Sequence, residues 1–435
     1  MKKKSLLGFL MILPLLLSSC TLIKKDTAVD AATEIIRLGE RTVNKGTIVS
    51  SVNQQMYQMA QLYSQFGYSY DVTDPEVIAD AQNTVINAYK RDLALRAKAE
   101  ELGLDRLTEE EEAQARADAE EDFQSNIDQI RKAEYADSTL GEEELKAEIT
   151  EHMEKEHGYT MEIALNNARD VIVEGKVKDS VIKDVTVSDE EVEAEYNTRV
   201  ETAKSNYEDD ASSWCSAFNN GTSTLYYTPA GVRYAKQILI KFKDEDQAAM
   251  TAASGKVTAA QAILDAEDST EEQKTQAEAD KAAAQAELDA AKAAAFANID
   301  ADADAVLADL AGGADWDKLM AEKSQDPGMA SGRKTAETGY AVCENMTSFD
   351  SAFVNGLFSL EKIGDVSGKI ASDLYGYYII QYTGDAVEGP VALDSVKEDL
   401  HSTLLTARQN TVYDDTVSGW VEAADFKLDL NALKN

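Results

Sequence analysis

The sequence predicts an α+β protein, a largely helical body with a smaller α/β part inserted into it. Three observations carry that prediction. Between residues 33 and 207, helix-capping signals precede apolar stripes spaced three and four apart. Two apolar runs of strand type, VRYAKQILIKF from Val232 and YGYYIIQY from Tyr375, stand far apart with helical sequence between them. After the second run, Val396, Leu400, Leu404, Ala407 and Thr411 form a long amphipathic stripe that returns the chain to helix.

Taken in order, residues 1–20 read MKKKSLLGFLMILPLLLSSC and stand apart from the fold. Lys2, Lys3 and Lys4 form a basic start, and the apolar stretch after them is too short for a membrane-spanning helix of the mature protein. It closes on Leu17-Ser18-Ser19-Cys20, which resembles the bacterial lipobox. That resemblance implies lipidation of Cys20 as the new N-terminus and a protein anchored at the extracytoplasmic face of the membrane. Residues 21–32 read as a polar tether.

The helical body follows. Thr73-Asp74-Pro75-Glu76 offers an N-cap with Pro at the first helical position. Ile86, Tyr89, Leu93 and Ala97 make the stripe, and Gly103 closes the helix. Thr108 with Glu111 and Ser188 with Glu191 are capping boxes. Another helical run passes through Ile163, Ala168, Ile172 and Val177. The segment SSWCSAFNNGTSTLYYTPAG is expected to be a loop. Beyond the first strand, the Ala/Glu/Lys/Gln-rich residues 244–297 predict an antiparallel helical hairpin. Val257, Ala260 and Leu264 mark one arm, and Ala284, Leu288, Ala291 and Ala295 the other, with Thr270 and Gln273 capping the second. Residues 305–323 read as helix, and ADFKLDLNAL ends the chain in strand-like alternation.

Charge and composition exclude several functions. Asp plus Glu number 80 against 42 Lys plus Arg, a formal net charge of -38. Such a surface repels nucleic-acid phosphates and anionic membrane surfaces alike, so no nucleic-acid partner is expected. The three histidines, His152, His157 and His401, lie in Glu-rich or amphipathic helical sequence and read as solvated. No metal site and no cofactor is expected. With Cys20 consumed, Cys215 and Cys343 remain. Two thiols in distant segments do not make a disulfide framework, and whether they pair stays open.

Residues 232–383 resemble the parvulin-type peptidyl-prolyl isomerase domain. Six pieces carry the likeness in the family's order. They are AKQILI from Ala235, LADLAGGADWDKLMAEKSQDPG from Leu307, Gly339-Tyr340, FDSAF from Phe349, GDVSG from Gly364 and YGYYII from Tyr375. With the lipobox and the helical flanks, the chain is similar to extracytoplasmic foldase lipoproteins of the PrsA kind, related to the SurA chaperones. The resemblance implies a helical chaperone domain over 33–228, completed by a C-terminal helix and strand in 389–435. It implies a parvulin-type domain inserted at 229–388, with 244–297 as an added hairpin. Three departures stand out. Gln237 and Tyr378 replace two family histidines, and SGRKTAETG replaces the family's shorter Gly-Gly-Asp-Leu-Gly loop.

What the resemblance implies about the site follows from what the reaction needs. Rotating a peptide C–N bond faces a barrier of about 18–20 kcal/mol, and X-Pro bonds isomerise unaided in tens to hundreds of seconds. No bond breaks, so the site needs an apolar slot for the proline ring and polar groups favouring the twisted amide. Phe349 matches the slot aromatic, with Met346 and Phe353 as walls. Asp326 matches the polar position beside the amide, and Gln237 with Tyr378 stands where the family's histidines pair across adjacent strands. The implied partners are unfolded exported proteins and their X-Pro segments, with the membrane reached through the lipid. The preferred reading is a foldase with isomerase activity reduced by the two replaced histidines; the alternative is a non-catalytic holdase with a degenerate parvulin domain. Everything turns on Asp326, because an Asp-Pro-Gly triplet is also ordinary turn sequence.

Overall fold

The structure, a computed structural model, describes residues 27–221 and 224–434. The expected signal peptide, Cys20 and the first half of the tether lie outside the described residues. In chain order the first elements are α1 (Thr27–Ala31), β1 (Glu34–Leu38), β2 (Arg41–Asn44), α2 (Lys45–Gln65), α3 (Pro75–Leu102), α4 (Glu109–Glu134), α5 (Glu142–His157) and α6 (Met161–Ile182). Next come α7 (Asp189–Tyr207), α8 (Ala211–Asn219), β3 (Tyr227–Thr228), β4 (Val232–Lys241), α9 (Asp244–Asp265) and α10 (Glu271–Ala311). They are followed by α11 (Trp316–Lys323), α12 (Lys334–Thr338), β5 (Tyr340–Cys343), α13 (Ser351–Phe358), β6 (Ile370–Ser372) and β7 (Gly376–Asp385). The chain ends with β8 (Gly389–Pro390), α14 (Leu393–Ala423) and β9 (Lys427–Leu428). The chain divides into two compact units. One runs to Thr186 and resumes at Thr403; the other is Val187–Ser402.

The capping residues do what their types predict. Asp74 accepts from Glu76 N at the start of α3, and Gly103 ends that helix in the left-handed region at φ 69°. Thr108 and Ser188 form reciprocal capping boxes with Glu111 and Glu191. In the discontinuous unit, Ile35 and Ile36 of β1 pack with Ile48, Val52 and Met56 of α2 and Val85, Ile86 and Leu93 of α3. Phe123 and Ile127 of α4 meet Ile149 and Met153 of α5. Tyr413 and Val417 of α14 bury against Leu95 and Ala99 of α3 and Val177 of α6.

Several expectations need correction here. Residues 33–207 are not all helix, because β1 and β2 form an antiparallel hairpin turning at Gly39, whose φ is 59°. The strand-like ending is only two residues long, and β9 pairs with β1 to make the order β2-β1-β9. The stripe on α14 holds at its start, where Val396 and Leu400 are buried, and shifts farther along. Ala407 and Thr411 are exposed, while Tyr413 and Val417 are buried.

In Val187–Ser402 the central feature is a four-stranded antiparallel sheet of order β5-β4-β7-β6. Strand alternation gives it two covered faces. Ile238 and Ile240 of β4, Phe242 just beyond that strand and Ile379 of β7 pack on one face, under Ala295, Ile299, Ala303 and Val306 of α10 and Trp316 of α11. Ala235 and Leu239 of β4 and Tyr378, Ile380 and Tyr382 of β7 point to the other, under Phe353, Val354 and Leu357 of α13. Burying each such large side chain stabilises the fold by about 1.5–3 kcal/mol. Gly376 has φ 129°, and an added Cβ would lie 2.1 Å from Ile240 O, so this close strand approach requires glycine.

The helical hairpin forms, with Thr270 and Gln273 reciprocally capping its second arm. That arm does not stop near 297. It runs 41 residues to Ala311, about 60 Å at 1.5 Å per residue, because its last turns cover the sheet. The helix expected over 305–323 is therefore two helices, broken at Gly312 and Gly313. The expected loop at SSWCSAFNN is largely α8, stabilised by burial of Trp214 and Cys215. Within SGRKTAETG, residues 334–338 form the short helix α12.

Candidate isomerase site

Asp326 is placed by the edge of β4. Strand β5 pairs with β4 only over Val232 to Ala235, leaving the rest of that edge open. Ser324 and Gln325 fill it. Ser324 Oγ accepts from Leu239 N at 3.2 Å, Gln325 N donates to Leu239 O at 2.9 Å, and Lys241 N donates to Gln325 Oε1 at 2.7 Å. The segment leading into Asp-Pro-Gly is thus laid along the sheet like a short extra strand, and Asp326 arrives in a fixed place.

Its carboxylate collects three donors. Gln237 Nε2 donates to Oδ2 at 2.7 Å, Tyr340 Oη donates to the same oxygen at 3.0 Å, and Gly328 N donates to Oδ1 at 2.9 Å. Only the last belongs to the local turn; the other two come from different strands. Gly328 is also a packing requirement, since a Cβ there would lie 1.7 Å from Tyr340 Oη. Tyr340 itself is held neutral. Burial raises its phenol first, and the Asp326 charge raises it further, well above the ordinary tyrosine range. Gln237 is 6% exposed, and its Oε1 has no hydrogen-bond partner among the described residues.

From Tyr340 an aromatic row crosses the face of the sheet. Its ring meets Phe349 edge-on at 5.0 Å, Phe349 lies 5.4 Å from Phe353, and Phe353 lies 5.6 Å from Tyr378. At the far end Asp350 Oδ2 accepts from Tyr378 Oη at 3.3 Å and from Ser372 Oγ, while Asp350 Oδ1 caps α13 through Ala352 N. Burial, and after it the Asp350 charge, raises the Tyr378 phenol also. Phe349 is half-buried, whereas Met346 and Phe353 are buried in the core beneath it.

Each residue singled out in the sequence therefore has a definite position, and the expected pair does not form. Register sets Gln237 opposite Ile380 and Tyr378 opposite Leu239, so the two lie diagonally on one face. Gln237 bonds Asp326, and Tyr378 bonds Asp350. Two polar centres stand where one was expected, linked by the aromatic row. Tyr340, Asp350 and Ser372 were missed as site residues. Tyr340 had a signal, since it follows Gly339 in one of the six pieces, while Ser372 sits in sequence with no motif to mark it.

No family model matches the chain. It is 21% identical over 413 residues to the foldase protein PrsA of Clostridium botulinum strain Langeland, covering 94% of this chain and 92% of that protein. The PrsA protein of the Hall strain matches over the same 413 residues at the same 21% identity. Among solved structures, one described under SurA-like chaperones of Campylobacter jejuni is 15% identical, covering 70% of this chain and 95% of that one, with a TM-score of 0.26. Foldase protein PrsA from Streptococcus pneumoniae is 13% identical, covering 93% and 98%, with a TM-score of 0.22. Those scores add nothing to the fold as described. The sequence likeness, first visible in six short pieces, extends over nearly the whole length of the foldase protein PrsA.

Proposed function

We propose that this protein is a lipid-anchored foldase of the extracytoplasmic membrane face, with peptidyl-prolyl isomerase activity of the parvulin type. The observation that carries the isomerase reading is the Asp326 carboxylate. Residues remote in sequence, Gln237 and Tyr340, converge on it beside the half-buried ring of Phe349. A plain turn needs only the bond from Gly328 N. In this reading the proline ring of a client rests against Phe349, above the buried floor of Met346 and Phe353. Its X-Pro amide lies next to Asp326 and the Tyr340 hydroxyl. As the C–N bond twists, resonance is lost and the nitrogen lone pair becomes an acceptor, which the neutral Tyr340 phenol can meet by turning its one O–H from Asp326 to the amide. An interaction of about 1.4 kcal/mol made only in the twisted state gives tenfold in rate.

The reading includes a division of labour, with 229–388 isomerising and 33–228 plus 389–435 holding the client. Residues 46–70 contain no charged side chain in a chain that is 28% charged. Within them Tyr57, Phe66 and Tyr68 are exposed, the last two by 71% and 70%. Exposed apolar surface of this kind suits an unfolded segment. The same stretch, together with the replaced histidines, favours the second reading, a holdase without catalysis. An NMR exchange measurement on an X-Pro peptide separates the two. Under the first reading the wild-type chain accelerates exchange, and Phe349→Ala removes at least tenfold of that while the circular dichroism spectrum stays unchanged. No acceleration by the wild-type chain leaves the holdase reading.

A further inference from the structure

We propose that Cys215 and Cys343 form an intramolecular disulfide in the folded chain, a redox-controlled staple between α8 and β5. Both side chains are buried, at 0% and 6% exposure, in one core with Trp214, Val342 and Met346. What aligns them is a neighbouring pair of contacts. Asn219 Nδ2 donates to Ala341 O at 2.8 Å, and Ala341 N donates to Asn219 Oδ1 at 2.8 Å, which fixes α8 against β5 in one register. On a helix, residues 215 and 219 are four apart and share a face. On a strand, residues 341 and 343 are two apart and share a face. Four residues of helix rise about 6 Å and two residues of strand about 6.7 Å, so seating 219 on 341 brings 215 to 343. Both thiols are free, and they are close enough to act on each other: burial raises the Cys215 thiol first, and the neighbouring Cys343 raises it further.

The chemistry balances with a small disulfide as oxidant. Burial raises both thiols above the ordinary range, and for Cys343 the neighbouring Cys215 partly opposes this, favouring its thiolate. Cys343 thiolate attacks one sulfur of oxidised glutathione, breaking that S–S bond and releasing one glutathione thiolate. Cys215 thiolate then attacks the Cys343 sulfur of the mixed disulfide and releases the second. Two thiols are oxidised to one disulfide, one glutathione disulfide is reduced to two thiols, and the two protons end on glutathione. The ring closed spans about 130 residues, so the link removes much freedom from the unfolded chain. It also fixes the end of β5, where Cys343 O accepts from Met346 N at 3.1 Å at the start of the turn toward Phe349. That the link forms in the cell rests on the extracytoplasmic reading; that it forms in the folded chain does not.

The test uses the purified full chain and oxidised glutathione at about pH 8.5, followed by intact mass, non-reducing peptide mapping and thermal unfolding. The expected result is a loss of about 2 Da, one cross-linked peptide pair containing Cys215 and Cys343, and a melting temperature raised by several degrees that dithiothreitol reverses. In Cys215→Ser and in Cys343→Ser the cross-link and the shift should both vanish. A folded chain whose two thiols stay free, stop at glutathione adducts or link between molecules overturns the proposal. The redox state in protein taken directly from cells then tests the compartment separately, since a chain that links in the tube and is reduced in the cell contradicts only the location.

Discussion

Asp326→Asn separates a working carboxylate from a turn residue. Asn keeps the shape and can still accept from Gly328 N, so the Asp-Pro-Gly turn survives the exchange. What it loses is the charge at Oδ2, where Gln237 Nε2 and Tyr340 Oη donate at 2.7 and 3.0 Å. Hydrogen bonds to charged groups contribute about 1.5–3 kcal/mol against about 0.5–1.5 for neutral ones, so two such bonds lose roughly 2 kcal/mol together. Gln237 can turn its amide to offer Oε1 to the new Nδ2–H, which limits the loss further. For a unit of this size that is a melting temperature lower by about 4–8 °C, with the fold retained.

The rate should respond more strongly than the fold. If the carboxylate holds the Tyr340 hydroxyl beside the reacting amide, losing about 2 kcal/mol of that arrangement slows isomerisation roughly 30-fold. The assay is the same NMR exchange on an X-Pro peptide, run with peptide in excess and below saturation to separate binding from turnover. Wild-type exchange in a variant of slightly reduced stability would refute the reasoning and return Asp326 to the turn. Equal loss in Asp326→Asn and Asp326→Ala would locate the effect in the charge.

Three further outcomes follow from the geometry. Gly328→Ala sets a Cβ 1.7 Å from Tyr340 Oη; displacing that ring should destabilise the chain by about 1–3 kcal/mol and reduce exchange, read by thermal unfolding and the NMR assay. Tyr340 and Tyr378 have raised folded-state phenols, so their contribution to stability is whole below the ordinary tyrosine value near 10 and is lost as pH rises beyond it. Urea midpoints should therefore be insensitive to these groups at neutral pH and fall above about pH 10, with part of the tyrosinate absorbance appearing only on unfolding. If Cys20 carries the proposed lipid, Cys20→Ser should release the protein from membranes or leave it unprocessed, because acyl chains hold a protein there at about 0.8 kcal/mol per buried CH₂; fractionation and metabolic lipid labelling check it.

How much of this was legible depends on how local the cause is. Capping boxes at Thr108, Ser188 and Thr270 are short-range chemistry, and each forms as its residues dictate. The two long strands also announce themselves by composition. The hairpin β1–β2 was missed because it is short, carries charged residues, and depends on β9 nearly four hundred residues later. Helix α8 was missed because Ser and Asn argue for a loop, while the helix is stabilised by Trp214 and Cys215 entering the core.

The expected Gln237–Tyr378 pair shows the same limit at the scale of one hydrogen bond. Adjacency of β4 and β7 was implied by the family resemblance, but register was not, and one step of register decides which side chains face each other. With Gln237 opposite Ile380, its amide is directed away from Tyr378 to the edge that β5 leaves open, where Ser324 and Gln325 have carried Asp326. Tyr378, opposite Leu239, reaches Asp350 at the head of α13 instead. The result is two polar centres rather than one, each a carboxylate with a neutral phenol donating to it, joined by Phe349 and Phe353. Of the two, only the Asp326 centre has the half-buried Phe349 edge-on to its phenol, which is why that carboxylate is the one to change first.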